Sequence, residues 1–244
     1  MPKAPKTANS MTLETVMAEL EKMGTPTIKK VLSAHGAREP FFGVRIGDMK
    51  AIVKAVKKDH ELSLQLYSTG NYDAMYLAGL IADENRISKK DLNSWVKTSY
   101  FGISEYTVPW VAAESPHGWE LALEWIESKH ENVAAAGWSC LSSWMSLRPD
   151  DELDIPALTK LMDRAKKEIH KAPNRVRYAM NMFVICAGSY VPALTKKAKE
   201  IGAAIGEVSV DMNGTACKVP FIADYLAKVE ARGSIGKKKK QARC

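Results

Sequence analysis

The sequence predicts an all-α protein made of stacked helical pairs. Apolar residues recur at three- and four-residue spacings along nearly the whole chain. Clean strand-type alternation is almost absent. The periodic stretches are about ten to fifteen residues long and joined by short links, the pattern of helical-repeat stacks.

Taken in order, the periodicity places helices over residues 11–23, 25–35, 46–58, 60–68, 71–85, 88–99, 104–114, 117–129, 132–146, 154–171, 174–189, 191–205 and 219–232. Ser88 precedes the sixth, with Asp91 three residues on, where its carboxylate can sit over the first-turn amides. Asp154 precedes the tenth, with Pro156 near its first turn. Asn174 opens the eleventh. One stretch resists a helix: "EVSVDMNGTACKVP", residues 207–220, where β-branched alternation around Asn213-Gly214 predicts an irregular or hairpin-like excursion. No exact internal repeat is visible, but a degenerate helical repeat keeps an apolar face rather than identities. Such stacks curve, and their concave side is a usual binding surface.

With 244 residues the chain can bury a substantial core. We expect a flexible start over 1–10, a single helical domain over 11–232 and a basic flexible tail over 233–244. No apolar run reaches the roughly 20 residues of a membrane span. The opening "MPKAPKTANS" lacks the apolar segment of a secretory signal, which predicts a cytoplasmic protein. Four scattered cysteines, with no CxxC pair, read as buried or free thiols rather than zinc ligands. The net charge is +7, yet the two ends carry all of the excess: without residues 1–10 and 232–244 the body holds 27 basic and 28 acidic side chains. None of the five histidines forms a metal or triad pattern, and there is no phosphate loop or dinucleotide fingerprint. The sequence implies no cofactor and no metal.

"FFGVRIGDMKAIVKAV", residues 41–56, leads from a Gly-Val-Arg loop into an amphipathic basic helix. This stretch resembles the opening signature of the AlkC/AlkD-like DNA alkylation repair family. The order of "SEYTVPWVAAES", "ENVAAAGWSCLSSWM" and "RYAMNMFVICAGSYVPALTKKAKE" is similar to the family's, so the resemblance spans about residues 11–205. It implies a HEAT-like superhelix whose concave face holds duplex DNA, and active members that excise cationic alkylpurines without drawing the base into a pocket.

That chemistry asks for a carboxylate to stabilise the developing sugar cation, aromatic faces beside the cationic base and an arginine on the phosphate. Aligned on Thr-Val and Val-Ala, the family's catalytic aspartate falls on Pro109 and its tryptophan on Glu105. The family's arginine falls near Ala136, its second aromatic near Met182, and no arginine occurs between Arg86 and Arg148. A shifted register offers Trp110 and Glu114 at i, i+4, with Glu105 as a second carboxylate. These three are the candidate catalytic residues.

Six tryptophans crowd residues 95–144, among six glutamates between 105 and 131. Basic residues flank that region. Arg45, Lys50, Lys54, Arg175, Arg177, Lys196 and Lys197 are the candidate DNA contacts. Arg175 and Arg177 stand in the first turn of a helix, where cations oppose the dipole and a phosphate would relieve the conflict. The reading is therefore a monomeric DNA-binding protein of the alkylation-repair superfamily, recognising damaged, branched or otherwise unusual DNA. An active alkylpurine glycosylase and a protein-interaction scaffold are the alternatives.

Overall fold

The computed structural model describes residues 11–243, so the expected flexible start over 1–10 lies outside the described residues. The chain divides into two compact units, one ending at Arg86 and the other beginning at Ile87, where the sequence suggested a single domain.

The first unit holds α1 (Leu13–Met23), α2 (Pro26–His35), α3 (Lys50–Val56), α4 (His60–Ser68) and α5 (Tyr72–Ile81). Side-chain caps set most of the starts. The hydroxyls of Thr12 and Thr25 accept first-turn amides of α1 and α2, and the Asp59 and Asn71 side chains do so at α4 and α5. The buried Asp73 carboxylate accepts three successive amides across the chain, from Phe42 (2.6 Å), Gly43 (3.0 Å) and Val44 (3.0 Å). Gly43 has φ +82°, and a Cβ there would lie 2.6 Å from the Lys29 amide nitrogen. This clamp fixes the Gly-Val-Arg loop and presents exposed Arg45 just before a short 3-10 turn, Ile46–Met49, and α3.

The second unit holds α6 (Lys89–Thr98), α7 (Val108–Glu114), α8 (Gly118–Trp125), α9 (Glu131–Leu147), α10 (Ile155–Glu168), α11 (Asn174–Tyr190), α12 (Pro192–Ile205) and α13 (Ile222–Ala231). The expected capping by Ser88 and Asp154 is present, and Ser88 forms a reciprocal box with Asp91. The long helices α9 and α11 pack along one another, with α7 and α8 against α9, and α12 and α13 against α11. Trp138 and Phe183 meet edge-on between α9 and α11, with centroids 5.0 Å apart. Gly137 lets α9 approach the end of α8: a Cβ there would lie 2.7 Å from the Ile126 amide nitrogen. Of the six tryptophans, Trp95, Trp125 and Trp138 are core, while Trp110, Trp119 and Trp144 are part-exposed.

Of the two forms expected for residues 207–220, irregular or hairpin-like, the structure shows the irregular one. Among the described residues, 207–220 forms no strand. The Asn213-Gly214 turn does form, with φ of 56° and 67°, but α11 rather than a hairpin partner holds its flanks. Asn174, expected to open α11 as a cap, exchanges paired amide bonds with Asp211 (2.9 and 2.7 Å), and Asn181 donates to the Pro220 carbonyl (2.9 Å).

The expectation that changes is the basic tail. Residues 233–243 are docked as a strap across the C-terminal ends of α11, α9 and α7. The amide of Gly236 donates to Ser189 O (2.8 Å) and that of Lys239 to Ser146 O (2.7 Å). Lys238 donates to Met145 O (3.0 Å) and pairs with Asp150 (2.8 Å). Helix C-termini present unpaired carbonyls and negative dipole ends, so a cationic strand is the complementary cover.

Candidate nucleic-acid interface

The helix over 104–114 is not uniform. Ile103–Thr107 is a single π-turn in which Val108 N–H reaches back five residues to Ile103 O, and α7 follows. Pro109 has no N–H to give to the carbonyl of residue 105, so an ordinary α-turn could not be completed here. The wider turn sends Ser104, Glu105 and Thr107 inward and Tyr106 outward.

Glu105 is 5% exposed, and its carboxylate takes the Arg175 guanidinium in both teeth: Nε to Oε1 at 2.5 Å and the terminal nitrogen to Oε2 at 2.6 Å. Burial pushes the Glu105 carboxyl above its usual range, and Arg175 opposes that rise. Arg175 also stacks 4.9 Å over the Tyr178 ring and approaches Met212 Sδ at 3.6 Å. Its amide donates to Glu131 Oε1 at 2.6 Å. A carboxylate of the protein thus caps α11 where the sequence suggested a phosphate, and it resolves the conflict between two first-turn cations and the dipole.

Glu114 is equally engaged. It lies at the end of α7, accepts the Ala242 amide (2.7 Å) and pairs with Arg243 at 2.7 and 2.5 Å, with side chains 13% and 8% exposed. Trp110 instead leans on Tyr106, with centroids 5.6 Å apart at 43°. The structure therefore does not gather Trp110, Glu105 and Glu114 around one open point. Each carboxylate is committed to its own arginine. Pro109 is buried in the helix, and Ala136 is fully buried in α9.

Among the DNA-contact candidates, Lys197 pairs with Asp163 (2.8 Å) on the neighbouring helix. Arg45, Lys50, Lys54 and Lys196 are exposed and show no carboxylate partner among the described residues. Arg177 is half-buried at the start of α11, and its Nε finds no hydrogen-bond partner among the described residues. The acidic neighbourhood is largely neutralised within the second unit: Glu120 pairs with Lys89, and Glu127 with Arg164. Sequence reasoning missed Arg243, Tyr106 and Tyr178. Tyr106 carried a usable signal, since the proline three residues on foretold an irregular turn beside it.

A family model described as DNA alkylation repair enzyme matches residues 16–200. The chain belongs to that family. A protein of Listeria monocytogenes, "Uncharacterized protein Lmo0209", is 31% identical over 228 residues, 91% of this chain and 99% of its own. Its Listeria innocua counterpart, Lin0241, is 30% identical over the same coverage. A solved structure aligns with a TM-score of 0.89 and 37% identity, covering 96% of this chain and all of the other. It is described as a new family of proteins related to the HEAT-like repeat DNA glycosylases with affinity for branched DNA structures. The all-α, HEAT-like repeat fold is thereby shown for this member of the DNA alkylation repair family.

Proposed function

We propose that this family member is a cytoplasmic, monomeric DNA-binding protein that engages branched or distorted DNA and does not excise bases. The observation that carries the reading is the state of the 104–114 helix. Its two carboxylates, Glu105 and Glu114, are both consumed by arginine pairs, and Pro109 stands where the resemblance puts the catalytic aspartate. A carboxylate saturated by a guanidinium offers little field to a developing sugar cation. The preference for branched DNA draws support from the solved relative's affinity. The binding itself draws support from cations that show no carboxylate partner among the described residues: Arg45, Lys50 and Lys54 in the first unit, Lys196 in the second.

Fluorescence anisotropy with a labelled four-way junction and a linear duplex tests the reading. Affinity should fall steeply as salt rises, because phosphate contacts release counterions. Arg177→Ala should weaken both complexes and flatten the salt slope by about one unit, the signature of one lost phosphate contact. Absence of binding to either DNA at low salt would defeat the proposal and favour a protein-interaction scaffold.

A further inference from the structure

The π-turn raises one aromatic out of a buried segment. Tyr106 is 41% exposed although Glu105 and Thr107 on either side of it are buried. It does not stand alone. Its phenol lies close enough to that of Tyr178 for the two to influence each other's ionisation, and its ring meets Trp110 at a 43° tilt. Burial, first, and then the neighbouring phenol hold Tyr106 above its ordinary pKa, and Tyr178 is raised by burial and Glu105. Both are neutral hydrogen-bonding rings at physiological pH. Beneath them the Glu105–Arg175 pair clamps the π-turn to the first turn of α11, so the ring positions are set by buried contacts rather than by loose side-chain packing.

We infer that the Tyr106–Trp110–Tyr178 face receives a single unstacked nucleobase of bound DNA, an inference that rests on the DNA-binding reading. Three features select that occupant. The face is only a few rings wide, far below the roughly 1,000 Å² expected of a specific protein interface. Its rings are held in place, which suits a flat π-system and lowers the ordering cost. Tyr106 itself is exposed, so an incoming ring can reach the face from solvent. In an intact duplex every base is stacked and unavailable to such a face. A branch point, bulge or mispair offers a base at lower unstacking cost. Recognition of distorted DNA would then come from base accessibility, without sequence readout.

The test compares a fully paired duplex with the same duplex carrying one bulged 2-aminopurine. Wild-type protein and Tyr106→Phe should bind the bulged DNA tightly and change 2-aminopurine emission. Tyr106→Leu and Trp110→Leu should each weaken bulged-DNA binding by about tenfold, within the range for one base–aromatic stack, and abolish the emission change. Affinity for the paired duplex should stay within about twofold, which also reports that the variants are folded. Equal losses on both DNAs, or no emission change with wild-type protein, would overturn the inference while salt-sensitive binding stands. No DNA binding by the wild type would sink both.

Discussion

Arg175 illustrates how one side chain can be a plausible ligand contact in the sequence and a structural member in the fold. Its position at a helix start is visible from Asn174 onward. Its partner is not, because Glu105 lies 70 residues away and no local pattern encodes that pairing. Removing the cation should isolate a buried carboxylate. Arg175→Met is expected to cost about 3 kcal/mol of unfolding free energy at neutral pH, the scale for breaking a buried ion pair from one side. The pH dependence follows from the direction of the Glu105 shift. A folded pKa above the unfolded value means the native state holds the proton more tightly, so this group's contribution is fully present below about pH 4.5 and is lost as pH rises through the raised value. Without Arg175 the rise is larger, so Arg175→Met should fall behind wild type progressively from acid to neutral pH. Denaturant unfolding across that range checks this. The double variant Arg175→Met, Glu105→Gln should recover most of the loss. A loss that is unchanged with pH would show that the pair is not what the variant breaks.

Elements divide into those that local chemistry dictates and those that distant chemistry captures. The helices of both units follow from apolar periodicity and caps such as Ser88 with Asp91, which act within one turn. The tail and the 207–220 excursion follow from surfaces elsewhere. A lysine run says only that the segment is cationic. It does not disclose the C-termini of α7, α9 and α11 that it crosses, nor Glu114 waiting for Arg243. Likewise, β-branched alternation in 207–220 signals extended backbone, but the amides of Asn174 and Asn181 decide what it pairs with. Truncation after Arg232 should therefore destabilise the protein. Loss of the nearly buried Glu114–Arg243 pair and its flanking hydrogen bonds should lower the melting temperature by about 10 °C, taking roughly 3 kcal/mol and 2–4 °C per kcal/mol for a unit of this size. Calorimetry on the truncated chain and on Glu114→Ala should give similar, non-additive losses. A tail that is merely solvated would leave both unchanged. Within the helices, Gly137→Ala should cost about 1–3 kcal/mol by denaturant unfolding, because its Cβ would press on the backbone at Ile126 and Ala122.

At the scale of the whole molecule, the family was legible from the Gly-Val-Arg loop and the order of helices, and the site was legible chiefly through what it lacks. The resemblance puts Pro109 and Ala136 where the family's aspartate and arginine are expected, and neither carries the group. The inward carboxylate clamped by an arginine beside an outward aromatic face depends on a π-turn and on contacts between α11 and the turn that sequence spacing does not reveal. The consequence for chemistry is a prediction about rate. Duplexes carrying a cationic alkylpurine should release free base in the presence of this protein at close to the spontaneous rate, because each missing electrostatic stabiliser removes on the order of 10²-fold. Quantification of released base by chromatography checks this. Turnover that is slowed by Glu105→Gln or Glu114→Gln would restore the glycosylase reading.

The preference for branched DNA is most directly tested by competition on the intact protein: a labelled four-way junction bound at moderate salt, challenged with unlabelled linear duplex of equal length and then with unlabelled junction. Retention against excess duplex and displacement by junction is the predicted result. Displacement by duplex and junction alike would contradict the preference for branched DNA, and failure to bind the labelled junction at any salt concentration would contradict the account as a whole.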